Sequence, residues 1–298
     1  MAHWHVLGAG SLGGLWACRL AQAKLPVTLL LRDAGRVAQY QRAGGLRLID
    51  GPNHYHCPLP AEDLATCGPI AHLLLACKAY DALPAAQALA SRLIPGATVL
   101  LLQNGLGSQQ AVAGALPQAR CIAVSSTEGA WRSPEGVITR AGTGQNWLGD
   151  GAPPPAWLED LRQARIPFEW TLAINTRLWR KLAINCAINP LTVILACRNG
   201  ELASHRDAVE PLCQELARLL QACGQSEAAT GLSETVWQVI ADTAGNYSSM
   251  LQDVRSGRPT EVDYLLGYAL SQGRLHRLDL PALQALAERL AACLGSGV

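Results

Sequence analysis

A glycine-rich turn, Gly8-Ala9-Gly10-Ser11-Leu12-Gly13, sits between the apolar stretch His3–Leu7 and an apolar run from about Gly14 to Ala23. This G-x-G-x-x-G pattern, placed between a strand and a helix, restricts the fold more than any other feature. The first glycine permits a tight turn, the second lets the backbone approach a pyrophosphate, and the third lets helix and strand pack closely. The helix N-terminus then offers free N–H groups and partial positive charge to phosphates. With the apolar run Val27–Leu31 after it, the pattern predicts a βαβ start, a parallel Rossmann-type sheet and a bound dinucleotide.

The end of that second strand selects the nucleotide. An acidic residue there binds the ribose 2′-OH of NAD, whereas arginine suits the 2′-phosphate of NADP. The chain reads LLLRDAGRV, with Arg32 at the strand end and Arg36 one turn on. Asp33 either serves as the acid or caps the following helix. The arginines favour NADP(H).

The βα series continues. Gly45–Ile49 and His54–Cys57 form a β ribbon around the turn Asp50-Gly51-Pro52-Asn53. His54 and His56 alternate on it, but no carboxylate or cysteine cluster supports a metal, so they read as surface histidines. Ile70–Cys77 and Ala97–Gln103 are buried strands. Lys78 and Asn104 follow their carboxyl ends, where ligands bind in such sheets. Each is otherwise a solvated loop lysine and a turn residue. Arg120–Thr127, Gly136–Arg140 and Gln145–Leu148 extend the same sheet as shorter antiparallel pieces. A breaker at Gly151–Pro155 is followed by helix Ala156–Ala164 and strand Pro167–Thr171. The boundary is therefore placed near Leu172, giving domains 1–171 and 172–298.

Beyond it the chain is helical, with amphipathic spacing in Glu210–Cys223, Ser233–Ala244 and Pro281–Leu294. Arg177–Asn199 reads as one long buried helix in which Lys181, Asn185 and Asn189 recur every four residues along one face. An unpaired amide in a core costs roughly 1–3 kcal/mol and a buried ammonium more. Three such groups in register therefore point into a wet cleft that holds a small polar ligand. In Tyr247–Tyr268, Ser248 and Ser249 start a helix, Gly257-Arg258-Pro259 breaks it, and Glu261 falls in the first turn of the next. Capping and function stand level for Ser249 and Glu261.

Several blocks in chain order together resemble the ketopantoate reductase family. They are the glycine loop, Lys78-Ala79, Asn104-Gly105, LWRKLAINCAINPLT (178–192), Asn199-Gly200-Glu201-Leu202 and SSMLQDVRSGRPTEVDY (248–264). The resemblance implies an α/β N-terminal NADP-binding domain of Rossmann type and an all-α C-terminal domain of the 6-phosphogluconate dehydrogenase C-terminal kind. It implies reduction of 2-dehydropantoate to pantoate, on the route to pantothenate and coenzyme A. By matched position, Lys181 is implied as the catalytic general acid. Asn185, Asn189 and Asn199 are implied as substrate-binding amides, and Ser249 as the hydroxyl holding the substrate carboxylate. The resemblance implies that Asn104 and Lys78 fall between nicotinamide and substrate, and that Glu261 is a carboxylate near cofactor and lysine. It further implies Arg32 as the 2′-phosphate ligand and Ala130 as a backbone contact to the cofactor, although Glu128-Gly129-Ala130-Trp131 departs from the family pattern.

Composition narrows the alternatives. With 16% charged residues and net charge +1, nothing argues for nucleic acid or an anionic membrane. The N-terminus lacks a basic leader, and no apolar run is long enough to span a bilayer. Ten cysteines without a CxxC pair fit reduced, buried thiols of a cytoplasmic protein. Two other functions stay open: a reductase of another branched 2-oxo acid, and a non-catalytic NADP sensor. Ala-rich C-terminal helices suit either a homodimer face or internal core.

Overall fold

The computed structural model describes residues 2–133 and 135–295. It divides into two compact units, one of residues 1–103 and 108–174, the other of residues 104–107 and 175–298.

The first unit is built on β1 (Trp4–Leu7), which alternates with period two. Trp4 and Val6 enter an apolar cluster with Leu15 and Trp16, while Leu7 joins a second cluster with Leu73, Leu75, Ala82 and Val112. A strand covered on both faces in this way belongs at the centre of a parallel sheet. There it pairs in parallel with β2 (Val27–Leu31) and β6 (Ile70–Leu75). The neighbours β5 (Ala61–Asp63), β7 (Leu93–Leu101) and β8 (Arg120–Ser126) are parallel too. The eight-stranded sheet closes with β11 (Asn146–Gly149), antiparallel to β8, and β12 (Phe168–Trp170), in the order β12-β11-β8-β7-β6-β1-β2-β5. Helices α1 (Ser11–Gln22), α2 (Ala34–Arg42), α3 (Ala79–Leu89), α4 (Ser108–Ala115) and α5 (Leu158–Gln163) make the connections.

Two expectations are corrected here. Arg120–Ser126 pairs in parallel with β7, because α4 carries the chain back across the sheet, and is antiparallel only to β11. The strand expected at 136–140 leaves that sheet altogether. As β10 (Val137–Gly142) it joins β3 (Leu46–Asp50), β4 (Asn53–Cys57) and β9 (Gly129–Arg132) in a second, four-stranded sheet, order β4-β3-β10-β9. Its Ile138 is fully buried in the cluster that holds Leu15 and Trp16 of α1. That apolar side of α1 is what the second sheet covers.

His5 lies on β1 with 5% exposure, stacked on His3, and its Nδ1 has no partner. Burial, reinforced by His3, lowers its pKa from 6.5 to about 4. Below pH 6.5 the unfolded chain takes up a proton that the folded chain refuses until about pH 4. Stability therefore declines as pH falls through that window, by up to about 3 kcal/mol from this residue. Urea unfolding at several pH values should show a shallower acid decline in His5→Leu; an identical decline would exclude His5 as the cause.

The second unit is all helical. It contains α6 (Ile174–Ile194), α7 (Arg206–Ala222), α8 (Ser226–Ala229), α9 (Leu232–Asp242), α10 (Ser249–Arg255), α11 (Leu266–Leu275) and α12 (Pro281–Gly295), with 3-10 turns at Asn199–Ser204 and Val262–Tyr264. Buried Glu215 of α7 accepts from Ala282 N (2.8 Å) and Leu283 N (2.9 Å), capping α12 from a neighbouring helix. No helix of the described residues is long and apolar enough to cross a membrane. All ten cysteines are free; five are buried and Cys67 is exposed.

Two further corrections concern this unit. The long helix ends at Ile194 rather than running to Asn199. Ala196 takes φ +51°, Cys197 N donates to Thr192 O and Ala196 N to Val193 O, the paired bonds that close a helix. Glu261 does not lie inside an α-helix. It precedes the 3-10 turn, and α11 starts only at Leu266.

Candidate active site

In the first unit, the glycine loop is held by contacts that leave no room for side chains at two positions. Gly8 has φ +98°, and a Cβ there would lie 2.4 Å from Cys77 N. A Cβ on Gly13 would lie 2.2 Å from Gly8 O and 2.8 Å from Ala76 Cβ. Both glycines are thus demanded by the fold. Gly10 is different: a Cβ there would meet nothing nearer than 4.0 Å. Its bareness serves no packing in the protein and fits a cradle for a phosphate group. Gly10 also precedes α1 without a side-chain cap. The first N–H groups of the helix, at Ser11, Leu12 and Gly13, are therefore left for an anion.

Around this loop, Arg32 keeps a 72% exposed side chain, with Asp81 at 3.2 Å. Asp33 is the cap of α2, accepting from Arg36 N at 2.8 Å, which removes it as the ribose acid. Lys78 stands at the N-cap position of α3, after β6. Ala130 lies on β9, opposite Arg140, and packs with Ala9 and Leu12 against the same apolar cluster. These residues fit a dinucleotide whose ribose carries a phosphate. His54 and His56 are exposed on β4.

In the second unit, Lys181, Asn185 and Asn189 recur on one face of α6 as their spacing requires. Among the described residues, none of these side chains has a hydrogen-bond partner, and none belongs to the enclosed, unpartnered polar atoms. A core would not tolerate three such groups; a ligand face requires them. Lys181 retains some accessible surface, yet protein crowds it enough that burial lowers its pKa from 10.5 to about 8, against the opposing pull of Glu261. Glu261 is 6% exposed and accepts from Asn104 Nδ2 at 3.4 Å. Asn104 is held there by its neighbours: Leu106 N donates to Tyr264 O (2.9 Å), and Gly105, at φ +75°, presses against the same carbonyl. A side chain at Gly105 would collide with it. Lysine, carboxylate and amide thus form one electrostatic group.

Ser249 is exposed in the first turn of α10, and the cap itself is Ser248, whose Oγ accepts from Leu251 N at 3.1 Å. Asn199 lies beyond the end of α6, at the start of the 3-10 turn Asn199–Ser204. Its Nδ2 donates to Thr243 Oγ1 (2.8 Å), its N–H to Asn246 O (3.0 Å), and its Oδ1 is enclosed without a partner.

Three further residues, Thr192 in the second unit and Glu128 and Arg132 in the first, escaped the sequence reading. Thr192 is eleven positions beyond Lys181 and so on the same helix face, and its Oγ1 meets Ser248 Oγ at 2.6 Å. The helical spacing was sufficient to find it. Glu128 and Arg132 carry no local signal, because the contacts that tie them to α1 and to the glycine loop are with residues more than a hundred positions away.

Residues 4–153 match the model of the family described as ketopantoate reductase PanE/ApbA, and residues 173–293 match that of its C-terminal domain. A 2-dehydropantoate 2-reductase of Salmonella typhimurium is 35% identical over 95% of this chain and 92% of its own length. That of Halobacterium salinarum is 32% identical over 95% of this chain and 96% of its own. Among solved structures, a PanE/ApbA family ketopantoate reductase from Ralstonia eutropha superposes with a TM-score of 0.89 at 22% identity, covering 99% of each chain. A D-mandelate dehydrogenase solved with NADH and anilino(oxo)acetate also reaches 0.89 at 21%, covering 98% of this chain and 99% of its own, a likeness of fold. Matched by both domain models in chain order and by relatives along nearly its whole length, this chain belongs to the ketopantoate reductase family.

Proposed function

We propose that the protein reduces 2-dehydropantoate to (R)-pantoate with NADPH, a step toward pantothenate and coenzyme A. The observation that carries this reading is the unpartnered row Lys181, Asn185, Asn189 on α6, with the Glu261 carboxylate acting on the lysine. The names of the aligned relatives support the substrate. When bound, the dinucleotide supplies a hydride to the C2 carbonyl carbon. The chain must then meet the charge that develops on the carbonyl oxygen. Lys181 donates its Nζ proton there, and Glu261 keeps the ammonium charged until it does so. Asn185 and Asn189, with Asn104, hydrogen-bond the polar atoms of the substrate, and Ser249 its carboxylate. Asn199 is the weakest member of the set, since its own amide donates to Thr243; we assign it to shaping the loop that leads to Ser249. For the dinucleotide, the binding set is Gly8 to Gly13, Arg32, Lys78, Asn104, Ala130 and Glu261.

Residues 1–171 form the cofactor domain in this reading and 172–298 the substrate and catalytic domain, in keeping with the spans of the two family matches. We place the enzyme in the cytoplasm, where its free cysteines stay reduced, and leave the Ala-rich C-terminal helices as either a homodimer face or internal core, a choice that sedimentation decides.

The test is NADPH consumption with 2-dehydropantoate beside 2-oxoisovalerate, which lacks the hydroxymethyl group, and with NADH beside NADPH. Sites that hydrogen-bond a substrate hydroxyl discriminate strongly against analogues lacking it, so 2-oxoisovalerate should turn over far more slowly. Equal turnover would keep the chemistry and discard the substrate. Dinucleotide binding without turnover would leave a sensor.

A further inference from the structure

Arg132 reaches the glycine loop from β9, 123 residues along the chain from its partner: its Nη1 donates to Ala9 O at 2.9 Å. Its Nε donates to Gly136 O at 3.4 Å, so the side chain is held on the β9–β10 hairpin. Arg36, in the first turn of α2, has its Nη1 on Gln39 Oε1 (3.1 Å), and its charge acts on Arg132. Among the described residues neither guanidinium meets a carboxylate, whereas Arg32 has Asp81.

The hairpin that presents Arg132 is itself clamped. Glu128, immediately before β9, accepts from Arg19 Nη1 (2.6 Å) and Trp16 Nε1 (3.0 Å) of α1. Asp50 of β3 binds Arg140 of β10 at 2.8 Å. Arg132 is thus a guanidinium fixed beside the glycine loop on a braced hairpin, with the charge of Arg36 on α2 acting on it and no carboxylate among the described residues bound to either, an arrangement that an anion relieves. A guanidinium has five N–H donors; the Ala9 and Gly136 carbonyls use two and leave the others for an anion.

The site's geometry narrows the anion. The backbone N–H groups at the start of α1 would serve the pyrophosphate. Arg36 instead lies just past the carboxyl end of β2, where the ribose hydroxyls of a dinucleotide fall in such sheets. We propose that Arg132, with Arg36, forms a second cationic arm that holds the ribose 2′-phosphate of NADP(H), which makes Arg132 a residue that sets preference over NAD(H). This rests on the dinucleotide reading above.

The experiment compares wild type, Arg132→Met and Arg132→Gln by calorimetric titration with 2′,5′-ADP and with 5′-AMP, nucleotides that differ in the 2′-phosphate. Glutamine retains an N–H donor for Ala9 O and loses the charge, so it separates a brace from a phosphate ligand. Both variants should bind 2′,5′-ADP about 10- to 100-fold more weakly, with 5′-AMP changed less than about two-fold. The NADPH-to-NADH affinity ratio should drop by the same factor. Equal weakening toward both nucleotides, or recovery in Arg132→Gln, would reduce Arg132 to a loop brace and overturn the proposal. Unchanged binding of 2′,5′-ADP would overturn it as well. Wild-type protein with no preference for 2′,5′-ADP would instead overturn the NADP reading, and this inference with it.

Discussion

Lys181→Ala should lower kcat with 2-dehydropantoate by about 10²- to 10⁴-fold while the Kd for NADPH moves less than about two-fold. The expectation follows from where the lysine sits. It shares a helix face with two unpartnered amides and feels the charge of Glu261, which also receives the Asn104 amide. Its pKa, lowered by burial to about 8, is suited to giving up a proton near neutrality. Reductive kcat/KM should therefore fall as pH rises through about 8, when the proton to be donated is lost, and the reverse oxidation should gain over the same range. Glu261 holds the value up, so Glu261→Gln should move this fall to lower pH. The sign for stability is the opposite of a paired lysine's. Between about 8 and 10.5 the unfolded chain binds the proton that the folded lysine has released, so this residue makes stability increase with pH across that window. Near-normal kcat in Lys181→Ala would remove the lysine from the chemistry.

Glu128→Ala should cost about 3–5 kcal/mol of stability, the range for breaking a buried ion pair from one side. The Glu128 side chain is fully buried, and it accepts from Arg19 Nη1 (2.6 Å), Trp16 Nε1 (3.0 Å) and Asn146 Nδ2 (3.0 Å). Alanine would leave a guanidinium that is 7% exposed beside two orphaned donors. Asp50, at 3.8 Å from Arg19 and already bound to Arg140, is too distant to replace the carboxylate. Urea unfolding should show a lower midpoint at unchanged m. Glu128→Gln should lose less, because its carbonyl still accepts one bond. A loss below about 1 kcal/mol for the alanine variant would show that water or Asp50 compensates.

Glu128, the first of the residues that depart from the family pattern at 128–131, has a structural role through this same carboxylate. Read along the chain, Glu128 looked out of place in a cofactor-facing loop. In the fold it is the anchor of β9, joining α1 to the strand that carries Ala130 and Arg132. Nothing local to the sequence announces that role, because its partners are Trp16 and Arg19, 112 and 109 positions away.

By itself the sequence determined whatever depends on local periodicity and backbone chemistry. The strand, glycine turn and helix at 4–22 follow from residues in contact with their own neighbours, as does the alignment of Lys181, Asn185 and Asn189 at helical spacing on α6. Tertiary structure decided the rest. Pairing partners placed 137–142 in a second sheet, since a strand pattern specifies a buried face but not which edge it joins. The choice between cap and ligand went to Asp33 and Ser248 as caps, leaving Arg32 and Ser249 exposed. The left-handed turn at Ala196 ends α6 before Asn199, whose amide is engaged by Thr243. Hydrogen-bond partners and charge neighbours distant in sequence are settled only when the chain closes on itself, and those contacts separate a polar group that supports the fold from one left for a ligand.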